Sequence, residues 1–140
     1  MAFLSSLDLR EYTIDSEWVV LAPLVYQPAQ GSRIIVPRGF ITDLASIPRA
    51  LQNVFSVNGL SRAPSVVHDY LYCIQDRERL QCDNILVEAM RSRGIDDITC
   101  DTFFYAVRAG GAAHWGTRPK GLQPSDCVPD NYWDLDNVKL

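Results

Sequence analysis

The chain has 140 residues, 47% of them hydrophobic and 21% charged, enough apolar material for one domain with a buried core and too much for disorder except at the ends. Seventeen acids against 13 bases give a net charge of −4, which argues against nucleic acid as the main partner, because phosphate binding needs a basic face. No run approaches the ~18 apolar residues of a membrane span, and the opening MAFLSSLDLREY, with no basic region and an early Asp8, is not expected to act as a secretory signal.

The first forty residues read as strand. Leu9 to Ile14 offers one strand, and Trp18 to Gln27 (WVVLAPLVYQ) and Ser32 to Phe40 (SRIIVPRGF) are rich in β-branched and aromatic residues. The turn-forming PAQG between the latter two predicts a hairpin. Pro23 and Pro37 each remove a ladder donor, which predicts edge positions or bulges. A sheet of two to four strands with one apolar face then needs a cover.

The cover is expected from about four helices. Ser46-Ile47-Pro48 is a start signal, with serine to cap free amides and proline in the first turn; this short helix ends near Phe55. A second starts near Ser61 or Pro64 and runs to Ile74, with Ala63, Val67, Tyr70 or Leu71, and Ile74 at helical spacing. A third spans Arg79 to Arg93, presents Cys82, Ile85, Leu86, Ala89 and Met90 on one face, and ends at Gly94. A fourth starts at the acids Asp96-Asp97, carries Cys100, Phe103, Phe104 and Val107 inward, and is expected to end near Gly110-Gly111.

The organisation expected is thus a single α+β domain over residues 1–116 and an extended acidic tail over 117–140. Between Leu122 and Asn137 there are four aspartates and no base, whereas Arg33 to Arg62 holds four arginines and one acid. Tyr132 and Trp133 are the aromatic exceptions in the tail, suited to docking it on the domain or on a neighbouring subunit as an assembly contact. Cys73, Cys82, Cys100 and Cys127 lack the CxxC spacing of a structural zinc site and are read as free thiols of a protein made in a reducing cytoplasm.

Three constellations can carry chemistry. In GFITDLASIP, Asp43 sits at the sheet-to-helix junction three residues before the capping Ser46, where it can bond turn amides or face a site. In SVVHDYLY, His68 and Asp69 stand side by side on a helix, with Tyr72 four residues after His68. Histidine can act as a general base near neutral pH, and a carboxylate can ligate a hard cation. In CDN, Asp83 opens the next helix, where it either complements the helix dipole or faces His68 and orients its ring. If Asp43, His68, Asp69 and Asp83 converge, their charges need compensation. A bound cation, Arg108 or substrate could supply it, or some of the acids could face water; Arg108, mid-helix between Val107 and Ala109, is read as a site candidate or as the structural partner of Asp69 or Asp83.

The succession VPRGFITDLASIPR, SVVHDYLY, CDNILVEAM and FFYAVRAGGAAHW resembles a family of small phage and prophage domains of unknown function. The resemblance covers about Val36 to Trp115. It implies that Gly39, Thr42, Asp43, Ser46, Pro48, His68, Asp69, Asp83, Tyr105, Arg108 and Trp115 are the family's recurring positions. Cys82 departs from the alanine usual before the third block's acid. The family implies a viral source and a virion or tail role, and no established reaction. HDYLY followed by CDNIL is also similar to the helix pair of secreted phospholipases A2. That similarity would give His68 the role of base, Asp69 that of calcium ligand, and Asp83 and Tyr72 the support of the histidine. The glycine-rich calcium loop and the cysteine framework of those enzymes are absent here.

Two functions follow as expectations. One is a virion-associated structural or adaptor protein of a phage tail or baseplate, made in the host cytoplasm, with other virion proteins and copies of itself as partners. The other is a metal-dependent hydrolase acting on envelope lipid or peptidoglycan. There His68 and Asp83 are the catalytic candidates, Asp43 and Asp69 the ligands of a calcium or zinc ion, and Ser46, Tyr72 and Arg108 the supports.

Overall fold

The computed structural model describes residues 1–13, 17–43 and 59–137. The expected helix from Ser46 to Phe55, and Ser46 with it, lies outside these residues. The class is α+β, as the sequence predicts: among the described residues, two small antiparallel sheets of three strands each accompany three α-helices. No helix among them is long and apolar enough to cross a membrane.

The sheets arise from one bent hairpin. Strands β1 (Ala2–Phe3), β4 (Leu24–Gln27) and β5 (Ile34–Val36) form one sheet in the order β1-β4-β5. Strands β2 (Leu9–Thr13), β3 (Glu17–Val20) and β6 (Ile41–Thr42) form the other in the order β2-β3-β6. The stretch expected as one strand over Trp18 to Gln27 is therefore split into β3 and β4, and the one expected over Ser32 to Phe40 stops at Val36, with β6 forming just beyond it. The breaks fall at Pro23 and Pro37, where proline cannot donate to the ladder. Beyond the breaks, Leu24 pairs with Val36 in one sheet and Val19 with Ile41 in the other. The corner between them is held by Val20 N–H donating to Phe40 O at 2.9 Å and Gly39 N–H to Val20 O at 2.8 Å. Gly39 turns this corner with φ +94°, a backbone region that suits glycine.

Leu24, Tyr26, Ile34 and Val36 point inward with strand periodicity and join one core with the helices. Helix α1 (Arg62–Ile74) contributes Ala63, Val66, Val67 and Leu71 to it. Helix α2 (Arg79–Ser92) contributes Cys82, Ile85 and Ala89. Its other flank, Leu86, Val87 and Met90, meets Cys100 and Phe103 of helix α3 (Asp97–Thr117) in a second cluster. α2 is thus the central helix, lying between α1 and α3. Its start is fixed by a capping box between Glu78 and Gln81, and that of α3 by Asp96, whose carboxylate accepts from Thr99 N–H at 3.0 Å. Cys73, Cys82 and Cys100 are buried free thiols on the three helices, and Cys127 is a half-buried one in the tail.

Past α3 the chain returns to the sheets. Arg118 pairs with Asp126 at 2.7 Å, and Val128 N–H donates to Gly39 O at 2.9 Å beside an isolated bridge between Phe40 and Cys127. Short 3-10 segments at Pro124–Asp126 and Asp130–Asn137 interrupt the expected extended run. Tyr132 packs edge-on against Tyr12 with ring centres 5.6 Å apart, and the Arg38 guanidinium lies 3.6 Å above the Trp133 ring. Of the two destinations open to this aromatic pair in the sequence, the domain itself is the one seen.

The expected end of the last helix at Gly110-Gly111 is corrected by the structure, since α3 continues through both to Thr117. The reason at Gly111 is space. A Cβ there would lie 2.5 Å from the Tyr72 hydroxyl and 3.1 Å from Arg79 Nη1, whereas one at Gly110 would meet nothing within 4 Å. The two glycines therefore separate in a clean test. Gly110→Ala is expected to stabilise the fold by about 0.5–1 kcal/mol through helix propensity, and Gly111→Ala to destabilise it by about 1–3 kcal/mol through overpacking. Urea unfolding of both variants checks this; equal effects would refute the close approach.

Candidate functional site

The turn between α1 and α2 folds the two helices against each other and brings His68 of α1 opposite Asp83 of α2. His68 Nε2 lies 2.7 Å from Asp83 Oδ1, and Tyr72, one turn on from His68, donates its hydroxyl to the same oxygen at 2.6 Å. The other oxygen, Oδ2, accepts from Arg108 Nη1 of α3 at 2.8 Å and lies 3.6 Å from Arg79 Nη1. The Asp83 side chain has 0% exposure, so one buried carboxylate is shared by groups from all three helices. Burial alone would raise the Asp83 pKa, but hydrogen bonds from His68, Tyr72 and Arg108 outweigh it and hold the carboxyl below the usual range. Asp83 is therefore ionised and accepts, so the His68 nitrogen that faces it, Nε2, is the one that carries a proton.

Tyr72 is the hinge of the surrounding packing. Its ring contacts that of His68 at 4.4 Å and meets Trp115 edge-on at 5.1 Å. Burial and the bond to Asp83 push its hydroxyl far above the ordinary tyrosine range, so it stays a donor. Arg79 threads between Tyr72 and α3: its Nη1 lies 3.4 Å from the Tyr72 hydroxyl and 3.2 Å from Val107 O, to which it donates.

Asp69 lies in a separate setting. Its Oδ2 accepts from the Thr42 hydroxyl at 2.9 Å and from Asp43 N–H at 3.2 Å, which ties α1 to the end of β6. Burial pushes its pKa up to about 6, against the lowering effect of the Thr42 and Asp43 bonds. Asp43 thus enters through its backbone amide, and its side chain is exposed.

The four residues expected to converge accordingly form two adjoining clusters. His68 and Asp83 meet directly, with Tyr72 and Arg108 in support, and Arg108 pairs with Asp83 rather than Asp69. Asp69 and Asp43 meet each other on the neighbouring side. No group of three or more His, Cys, Asp or Glu able to hold a metal ion is found among the described residues. Arg79 and Gly111 escaped the sequence reading. The i,i+4 spacing of Arg79 and Asp83 was a signal for the first; the second is visible only once α3 is seen to cross Tyr72.

An antiparallel-sheet and helix domain with one buried histidine–aspartate pair is the class this geometry defines. Residues 18–107 match the model of the family described as "Protein of unknown function (DUF1353)", and the chain belongs to that family. The match takes in Asp43, His68, Asp69 and Asp83 and stops one residue before Arg108. No curated protein and no solved structure matches the chain.

Two outcomes test the electrostatics. Asp83→Asn leaves two guanidinium groups facing a neutral amide and is expected to cost about 3–5 kcal/mol at pH 7, as loss of one partner of a buried ion pair does. A change under 1 kcal/mol in urea unfolding would show that the pair contributes little. Asp69 works in the opposite sense. Its folded pKa exceeds the unfolded value of about 3.9, so the folded state holds the extra proton between there and about 6. Its contribution is complete below the unfolded pKa and is lost as pH rises through about 6. Asp69→Asn should therefore flatten the fall in stability between these two values, as read from melting temperatures across the window. An unchanged slope would contradict the raised pKa.

Proposed function

We propose that this domain is a hydrolase of a cell-envelope component in which His68 is the general base. The observation that carries the reading is the 2.7 Å bond from His68 Nε2 to the buried Asp83. That bond engages Nε2–H, which in a neutral ring puts the lone pair on Nδ1, and Tyr72 and Arg108 hold the carboxylate in turn. In the step, Nδ1 takes a proton from water as the water oxygen bonds to a substrate carbonyl carbon. The imidazolium then returns the proton to the leaving group as its bond to that carbon breaks. Asp83 and Tyr72 are positioning residues in this scheme. The likeness of HDYLY and CDNIL to the phospholipase A2 helix pair agrees with it, and an ester or amide of lipid or peptidoglycan is the substrate class. A calcium or zinc ion at Asp69 and Asp43 remains an added proposal, since the bonds that hold Asp69 here come from a hydroxyl and an amide.

A second reading is a structural protein of a phage virion, in a tail or baseplate. The observation that favours it is the saturation of Asp83 by hydrogen bonds from α1 and α3 and an ion pair with Arg79 of α2, which suits a network whose role is to lock the three helices together. On this reading, Tyr132 and Trp133 serve contacts to virion partners beyond those within the chain.

His68→Gln separates the two, because the glutamine amide can still donate to Asp83. The full chain is incubated with phospholipid vesicles and with purified sacculi, each with calcium, with zinc and with chelator. Release of fatty acid or of soluble wall fragments by the native protein is expected. In a His68→Gln variant of near-native melting temperature it should fall by about 100-fold or more, the lower range for general-base catalysis. No release from either material overturns the hydrolase, and detection of the chain in purified virions by mass spectrometry then supports the structural role.

A further inference from the structure

We infer that the open cleft at the α1–α2 turn is a binding site for a glycan strand. The cleft holds about 600 Å³ and is lined by Gln75, Arg77, Glu78, Arg79, Trp115 and Lys120, among others. This combination of one aromatic face with amide, carboxylate, guanidinium and ammonium groups matches what a pyranose offers. The apolar face of the sugar ring packs on an aromatic ring, and its hydroxyl, acetamido and carboxylate groups bond to planar polar side chains and cations. A lipid tail would find one apolar surface and a ring of charge, and a bare inorganic anion would make no use of the aromatic wall.

A second observation points to the same place. Gln75 ends α1 with φ 51° and ψ 41°, the one positive-φ residue other than glycine among the described residues. Glycine or asparagine is the ordinary choice there, and a glutamine in that conformation is strained. What glutamine adds is its side chain: Gln75 Nε2 donates to Trp115 O at 2.9 Å and so ties the aromatic wall of the cleft to the turn. The turn beside it is fixed as well. Arg77 donates to Ser32 O at 2.7 Å, and Glu78 is held in the capping box of α2. Lys120 forms no ion pair or hydrogen bond among the described residues, so its ammonium is available for a carboxylate on the sugar. These bonds hold the side chains of the turn in place, and Lys120 lines the same cleft. The inference stands apart from the hydrolytic reading, since none of it depends on His68.

The test uses the full chain and glycan strands released from sacculi by amidase, which carry acetamido and lactyl carboxylate groups. Titration calorimetry is expected to give a dissociation constant on the order of 1 mM or tighter. Gln75→Gly should melt at the same temperature as the native protein or higher, because it relieves the strained backbone. The same variant should bind the glycan about five-fold more weakly, as expected for loss of one positioning contact. Lys120→Ala, on the surface, should weaken binding by a similar factor without a change in melting temperature. Absence of glycan binding overturns the inference, as does binding of sodium phosphate alone with equal strength, or full binding by Gln75→Gly. Glycan binding without any hydrolysis upholds this inference while the hydrolase reading fails, and lipid hydrolysis without glycan binding does the reverse.

Discussion

The structure depends on a negative charge placed where water cannot reach it. Removing a carboxylate from water is unfavourable by several kcal/mol even after relaxation, so the Asp83 position is stable only with its partners in place. Those partners come from α1, α2 and α3 together: His68 and Tyr72, Arg79, and Arg108. Each helix is thereby fixed in rotation and height relative to the other two, which apolar packing alone does more loosely. The close fit of Gly111 on the Tyr72 hydroxyl follows from the same demand, because α3 must approach far enough for Arg108 to reach the carboxylate.

The bent hairpin performs the matching task on the sheet side. Splitting the ribbon at Pro23 and Pro37 lets β4 and β5 cover the α1–α2 core while β3 and β6 bend into a second sheet whose near end, at Val20 and Phe40, still joins that core. That turn delivers Thr42 and the Asp43 amide to Asp69. A straight hairpin would carry the same residues along the ribbon and away from α1. The tail seals the corner from outside through Val128 on Gly39 O, where a larger residue than glycine would already touch Val128 and Trp133.

Much of this was legible in the residues. The periodicity of α1 and α2, the acids before α3 and the strand character of the first forty positions all correspond to what formed, because in each case local propensity and core burial ask for the same thing. The facing of His68 and Asp83 was legible too, since a short connection between two amphipathic helices leaves few ways to fold them. What was not legible required a partner distant in sequence. Gly110-Gly111 reads as a helix end because glycine is a poor helix former, and only the Tyr72 hydroxyl explains why glycine is kept inside one. Pro23 and Pro37 were seen as ladder breaks, but that two breaks opposite one another make a corner between two sheets depends on the pairing register. Asp69 and Asp83 look alike in the sequence because both are acids near His68, whereas adjacent positions on a helix point about 100° apart, which turns Asp69 away from the side where His68 meets Asp83.

That angular separation gives the two carboxylates flanking His68 opposite character. Asp83 faces two guanidinium groups, a hydroxyl and the imidazole, so full charges as well as dipoles favour its ionised form. Asp69 is held by one hydroxyl and one amide, dipoles that offset part of the burial but not all of it, and its carboxyl takes up a proton at about 6. Between the unfolded pKa and that value, the two adjoining clusters therefore hold one fixed negative charge and one titrating group. A pair of acids pushed apart in this way is how a protein assigns separate roles to chemically identical groups. Here the assignment is made by where the arginines are: Arg79 and Arg108 both serve Asp83, and that choice leaves Asp69 as the acid whose charge state can change.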